Sequence, residues 1–116
     1  MHELQTIEDI ITQSENQSLY KKLILQLNKD FLRAAVPLNV PEHYNPQALK
    51  LKLQETIVKL IQEQFSEYLN LLYIIDVSEE KIKQVKGDSI NEIAAHISYL
   101  ILLREWKKVW IRSNMR

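Results

Sequence analysis

Apolar residues recur at helical spacing through most of this chain. Over 46–75 the set Leu53, Ile57, Leu60, Ile61, Phe65, Tyr68, Leu72 and Ile75 holds one face, while Lys52, Glu55, Lys59, Glu63 and Glu67 fall on the other. Asn45 is placed to cap this stretch, and Pro46 takes the first helical position, where a missing N–H costs nothing. The pattern predicts one helix over 46–75, about 45 Å long at ~1.5 Å per residue. Such a rod needs several neighbours to cover it. Leu71, Leu72, Tyr73, Ile74 and Ile75 are apolar all round, so this end is expected to be covered on most sides. A strand there would find no partner strand nearby.

Leu4, Ile7, Ile10 and Ile11 predict a short amphipathic helix over 4–13, interrupted by a polar run in which Ser14 with Gln17, or Ser18, would cap the next helix. That second helix carries Tyr20, Leu23, Ile24, Leu27, Phe31, Ala34 and Ala35 inward, with Lys21, Lys22, Lys29 and Arg33 on a basic back. Pro37 and Pro41 make 36–45 an extended connector, with Leu38, Val40 and Tyr44 tucked against the bundle. Ser78 caps a short helix reaching about residue 86, with Ile82 and Val85 inward, and Gly87 is expected in the left-handed conformation that ends it. Ser89 and Glu92 form a capping box for a last helix over 90–113.

This last helix changes its apolar side midway. Ile90, Ile93, Ala94, Ile97, Leu100 and Ile101 form one face, whereas Tyr99, Leu102, Leu103, Trp106, Val109 and Trp110 lie on nearly the opposite side. Arg104, Lys108 and Arg112 take over the azimuth that was apolar before. With no Pro or Gly to kink it, such a helix needs different partners along its length. The expected interface therefore has Trp106 and Trp110 as anchors, Tyr99 and Leu103 beside them, and Arg104, Lys108 and Arg112 as rim charges.

Composition narrows the function classes. No Cys is present, which excludes disulfides, thiolate metal sites and cysteine nucleophiles. The formal net charge of +0 provides no global attraction to nucleic acid or anionic lipid. The charges are nevertheless uneven: Glu3, Glu8, Asp9 and Glu15 crowd the start, and Arg104, Lys107, Lys108, Arg112 and Arg116 the end, which suits the helix dipoles. The acidic start has no apolar leader, and no segment is apolar enough to span a membrane, so a cytoplasmic protein is expected.

Catalytic and ligand motifs fail on spacing. Glu92 and His96 share one side of the last helix, but di-metal bundles place Glu and His three apart on two helices with further Glu residues. His2 and His43 have no companions, Glu42 beside His43 makes no site, and a single Gly cannot form a phosphate-cradling loop. The helix–Gly–helix order over 80–103 resembles helix-turn-helix geometry only loosely, because the second helix is long and its early residues are apolar or acidic. The expectation is one all-α domain over 1–116: a bundle of about five helices, the two long ones (46–75 and 90–113) antiparallel. Functionally it is a non-enzymatic protein-interaction or adaptor module, a homodimer or the partner of another protein, without cofactor, metal or small-molecule substrate. The alternative is a nucleic-acid binder using the basic C-terminal stripe with the lysines of the second helix.

Overall fold

The computed structural model describes residues 4–115, and these form an all-helical bundle around one apolar core. His2, Glu3 and Arg116 lie outside the described residues. Among the described residues there are six helices and no strand: α1 Ile7–Asn16, α2 Tyr20–Arg33, α3 Pro46–Glu63, α4 Phe65–Ile75, α5 Glu79–Lys83 and α6 Ile90–Asn114. None is long and apolar enough to cross a membrane.

The starts of the helices follow local side-chain chemistry. Asn45 Oδ1 accepts from the N–H groups of Gln47 and Ala48 at 2.9 and 3.1 Å, with Pro46 just inside. Ser78 accepts from Lys81, and Ser89 from Glu92, whose own carboxylate reaches back to the Asp88 N–H. The first helix is shifted from the expected 4–13, and the expected cap of the second does not form. Thr6 and Asp9 form the capping box of α1, which continues through Ser14 to Asn16. Ser14 is fully buried and donates to the Ile11 carbonyl at 2.7 Å, so it cannot cap α2. Leu19 occupies that N-cap with no side-chain bond.

Gly87 does not take the left-handed conformation, and α5 ends at Lys83. Its lack of a side chain serves a close approach instead: a Cβ there would stand 2.9 Å from Glu92 Cβ and 3.1 Å from Ile93 N. The left-handed positions fall on Ser18, Ala35, Asn39 and Asp76. Three of them close helices in the same way. Behind Ser18, Ala35 and Asp76, the N–H of the next residue reaches back to the carbonyls of Ser14, Phe31 and Leu72.

The expected helix over 46–75 is two helices. The backbone departs from helical angles at Gln64 (φ −143°, ψ 60°), although Gln64 N–H still bonds Leu60 O and Gln64 O still accepts from Tyr68. A straight rod of about 45 Å would overrun the molecule, whose longest extent is 38 Å. Breaking at Gln64 lets α4 pack on α2 and α6 as well as α3, burying Tyr68, Leu71, Leu72 and Ile75.

The connector over 36–45 lies along the bundle as expected. Leu38 and Val40 are buried, Tyr20 Oη donates to Tyr44 O at 2.7 Å, and the Asn28 amide exchanges two hydrogen bonds with the Val40 backbone. Helix α6 runs through the middle and packs against all five other helices. Its 25 residues span about 37 Å, close to the full 38 Å length of the molecule.

Candidate protein-docking surface

The central position of α6 explains its change of apolar side. Ala94, Ile97, Leu100 and Ile101 on the early face are buried, and so are Leu102, Trp106 and Val109 on the later one. The several partners that the pattern demands are helices of the same chain.

This redistributes the residues expected at an interface. Trp106 is 0% exposed, so its ring belongs to the core and is closed to a second molecule in this packing. Trp110 and Leu103 are half-buried against the same core. Tyr99 is half-buried, and its hydroxyl donates to Leu4 O at 2.6 Å, tying the chain's beginning to α6. Arg104 donates through Nε to Asp76 O at 3.1 Å and through its guanidinium to the Asp76 carboxylate at 3.2 Å, closing the end of α4. Lys108, expected on a rim, has a side chain only 17% exposed and bridges two buried acids, Asp30 at 2.8 Å and Glu105 at 2.7 Å. Arg112 alone among the three stands fully at the surface. The stripe of cations on α6 is thus not one surface.

Large apolar residues are exposed on α2, α3 and α6 as well (Leu25, Leu32, Leu51 and Ile111), but α4 carries three of them at helical spacing. Phe65, Leu69 and Tyr73 are 53%, 52% and 82% exposed and four residues apart, so they form one stripe along the solvent side of this helix. The prediction that Phe65 lies inward and that Tyr73 is covered is overturned. Eight of the eleven residues of FSEYLNLLYII are apolar or aromatic, more than the neighbouring helices can cover, and Glu67 is the only charge. That composition was the signal in the sequence; its reading as a second buried side assumed neighbours that turn out to lie elsewhere.

Beside the stripe lies a groove of about 830 Å³ between α4 and α5. Tyr68, Leu72 and Val77 are buried along it, Ile61, Ile82 and Ile93 are half-buried, and Asp76, Glu79 and Lys83 also line it. Burial raises the Tyr68 phenol above its ordinary value. No known family, curated protein or solved structure matches this chain.

The groove therefore has to be read from its own chemistry. Its lining offers no nucleophile–base arrangement, and among the described residues no three His, Asp or Glu side chains cluster to hold a metal ion. Glu92 is engaged by Asp88, and His96 packs near the Tyr99 ring at 6.3 Å, so the pair on α6 serves the bundle. What the groove can do is take up apolar surface.

A second cleft, of about 290 Å³, separates α2 from the end of α6 and is lined by Lys22, Leu25, Gln26, Lys29, Val109, Arg112 and Ser113. Gln26 of this lining donates to Asp30, which is buried together with Glu105 and paired with Lys108. Burial and the neighbouring Asp30 push the Glu105 carboxyl up to about 8, against the pull of Lys108. Burial also acts to raise Asp30, but hydrogen bonds from Glu105, Lys108 and Gln26 outweigh it and hold that carboxyl below its ordinary value.

Proposed function

We propose that this protein is a self-associating interaction module, and that a second copy covers the stripe on α4. The carrying observation is the exposed row Phe65–Leu69–Tyr73 on a helix with one charge. Charged residues are depleted at interface centres and aromatics enriched there. The row is also symmetric about Leu69, with an aromatic ring four residues to either side. An antiparallel copy of α4 would set Leu69 on the two-fold axis and each Phe65 against the other copy's Tyr73, the self-complementary match that a two-fold interface requires. The same anchors at helical spacing suit the groove beside them.

The three side chains present roughly 350 Å² of exposed surface, taking about 200 Å² for a whole aromatic side chain. A standard interface buries about 800 Å² per partner, so the groove residues Ile61, Ile82 and Ile93 have to contribute, and the association is weak and concentration-dependent. Light scattering over a concentration series tests it. The mass should rise from 13.8 kDa toward twice that value, and Leu69→Lys should hold it at the monomer with helical circular dichroism unchanged. A native protein that stays monomeric throughout, or a variant that associates equally well, would overturn the proposal.

Nucleic-acid binding is a second reading, favoured by one observation. Lys22 and Lys29 of α2 line the same cleft as Arg112 of α6, and no ion pair engages any of the three among the described residues. Phosphate binding there should weaken steeply with salt, whereas the α4 contact should barely respond. Titration of a single-stranded oligonucleotide at rising ionic strength, with Lys29→Glu as the control, separates the two readings.

A further inference from the structure

The core of the bundle contains more acid than its cations neutralise. Glu105 on α6 and Asp30 on α2 are 0% and 1% exposed, and the ammonium of Lys108 touches both. Gln26 Nε2 donates to Asp30 Oδ2 at 2.9 Å, and Arg33 approaches Asp30 Oδ1 at 3.7 Å from the solvent side. Glu105 Oε1 accepts from Lys108, but Glu105 Oε2 is buried and meets no donor. A buried carboxylate oxygen without a donor carries a large desolvation penalty. A proton on Glu105 relieves it, because the neutral carboxyl can share a hydrogen bond with the Asp30 carboxylate beside it.

We propose that Asp30 and Glu105 hold one proton between them and, with Lys108, form a pH-sensitive latch tying α2 to the C-terminal half of α6. The proton resides on Glu105 because Asp30 has the richer surroundings: it accepts from Gln26 and Lys108 and has the Arg33 charge 3.7 Å away, whereas Glu105 accepts from Lys108 alone. The charged groups that act on Glu105 are Asp30 from α2 and Lys108 on its own helix, and no ion pair from α1, α3, α4 or α5 reaches the cluster among the described residues. Release of the proton to solvent leaves two buried carboxylates facing each other with one ammonium, where solvent screens them little. The repulsion acts across the seam between α2 and α6, where the cleft lined by Gln26, Lys29 and Val109 already reaches the surface. The latch therefore holds at neutral and acidic pH and loosens in alkali.

Trp106 follows Glu105 in the chain and is fully buried, so its emission reports any opening of the core around this part of α6. With Trp110→Phe as background, emission should shift to longer wavelength with a midpoint near pH 8. Infrared spectra should show the carbonyl stretch of a protonated carboxyl at neutral pH. Glu105→Gln, which copies the neutral form, should abolish both signals and remain folded. Asp30→Asn should move the midpoint to lower pH by removing the facing charge. Absence of the protonated-carboxyl band, an equal emission shift in Glu105→Gln, or failure of Glu105→Gln to fold at neutral pH would each overturn the proposal.

Discussion

Arg104 closes helix α4 by binding Asp76 twice, through Nε to its backbone carbonyl at 3.1 Å and through the guanidinium to its carboxylate at 3.2 Å. Asp76 is the left-handed residue that ends α4, and its carbonyl lies beyond the helix ladder. The Asp76 side chain is well exposed, so the ion pair itself contributes little. The hydrogen bond to the carbonyl is the larger part. Arg104→Met, which keeps the apolar stem, should cost about 1 kcal/mol by urea denaturation, with little dependence on salt.

Asn28 imitates a backbone pairing. Its amide gives one hydrogen bond to Val40 O and takes one from Val40 N–H, at 2.8 and 3.1 Å, and so holds the Pro-containing connector on α2. Asn28→Ala leaves both Val40 groups unpaired in a half-buried setting. A loss of about 2 kcal/mol is expected, read as a lower urea midpoint, with faster amide exchange at Val40 ahead of global unfolding.

The only glycine and the left-handed alanine call for opposite substitutions. Ala35 sits at φ 60°, a conformation that costs a residue with a Cβ about 1 kcal/mol. Ala35→Gly should recover part of that cost and raise the melting temperature. At Gly87 a Cβ would press on Glu92 Cβ and on the backbone nitrogen of Ile93. Gly87→Ala should lower the melting temperature by displacing the start of α6, although glycine-to-alanine exchange stabilises where the conformation permits it.

The buried acids give stability an unusual dependence on pH. The Glu105 carboxyl lies at about 8 in the fold against 4.5 for the ordinary group. Between those values the folded state holds a proton that the unfolded state has lost. Stability from this group is therefore complete below 4.5 and falls as pH rises to about 8, by about 1.4 kcal/mol per pH unit. Asp30 acts in the opposite sense: its carboxyl is held below the ordinary 3.8, so its contribution is present above 3.8 and lost in stronger acid. The pair is most stabilising in mildly acidic solution. Urea midpoints measured over a pH series should fall from there toward alkali, and Glu105→Gln should flatten that limb.

Trp106 and Leu69 should respond in opposite ways to substitution. Trp106→Ala empties the largest fully buried side chain of the core and should cost about 3–5 kcal/mol, enough to threaten the fold. Leu69→Lys alters a half-exposed position and should leave the melting temperature within a few degrees. If Trp106→Ala stays folded and changes only the mass in solution, the assignment of the ring to the core is wrong.

The candidate surface was only partly legible in the sequence. The excess of apolar residues over 71–75 marked the α4 region as unusual, and the change of side along α6 marked that helix as needing several partners. Both signals state how much apolar surface exists, not what covers it. Periodicity placed Arg104, Lys108 and Arg112 on one azimuth, yet Arg104 meets the end of α4, Lys108 meets Asp30 and Glu105, and Arg112 meets solvent, because each stands opposite a different element.

By itself the sequence determined the helical class and the caps at Asn45, Ser78 and Ser89, since these depend on interactions spanning a few residues or one helix face; the prolines made the connector extended, and tertiary hydrogen bonds from Asn28 and Tyr20 fix it on the bundle. The tertiary structure alone decided the break at Gln64, the burial of Trp106 and Glu105, and the exposure of Phe65, Leu69 and Tyr73. Those outcomes depend on how a fixed set of helices divides a limited interior. A residue's burial is a property of its neighbours in space, and helical spacing names only the side on which neighbours are wanted.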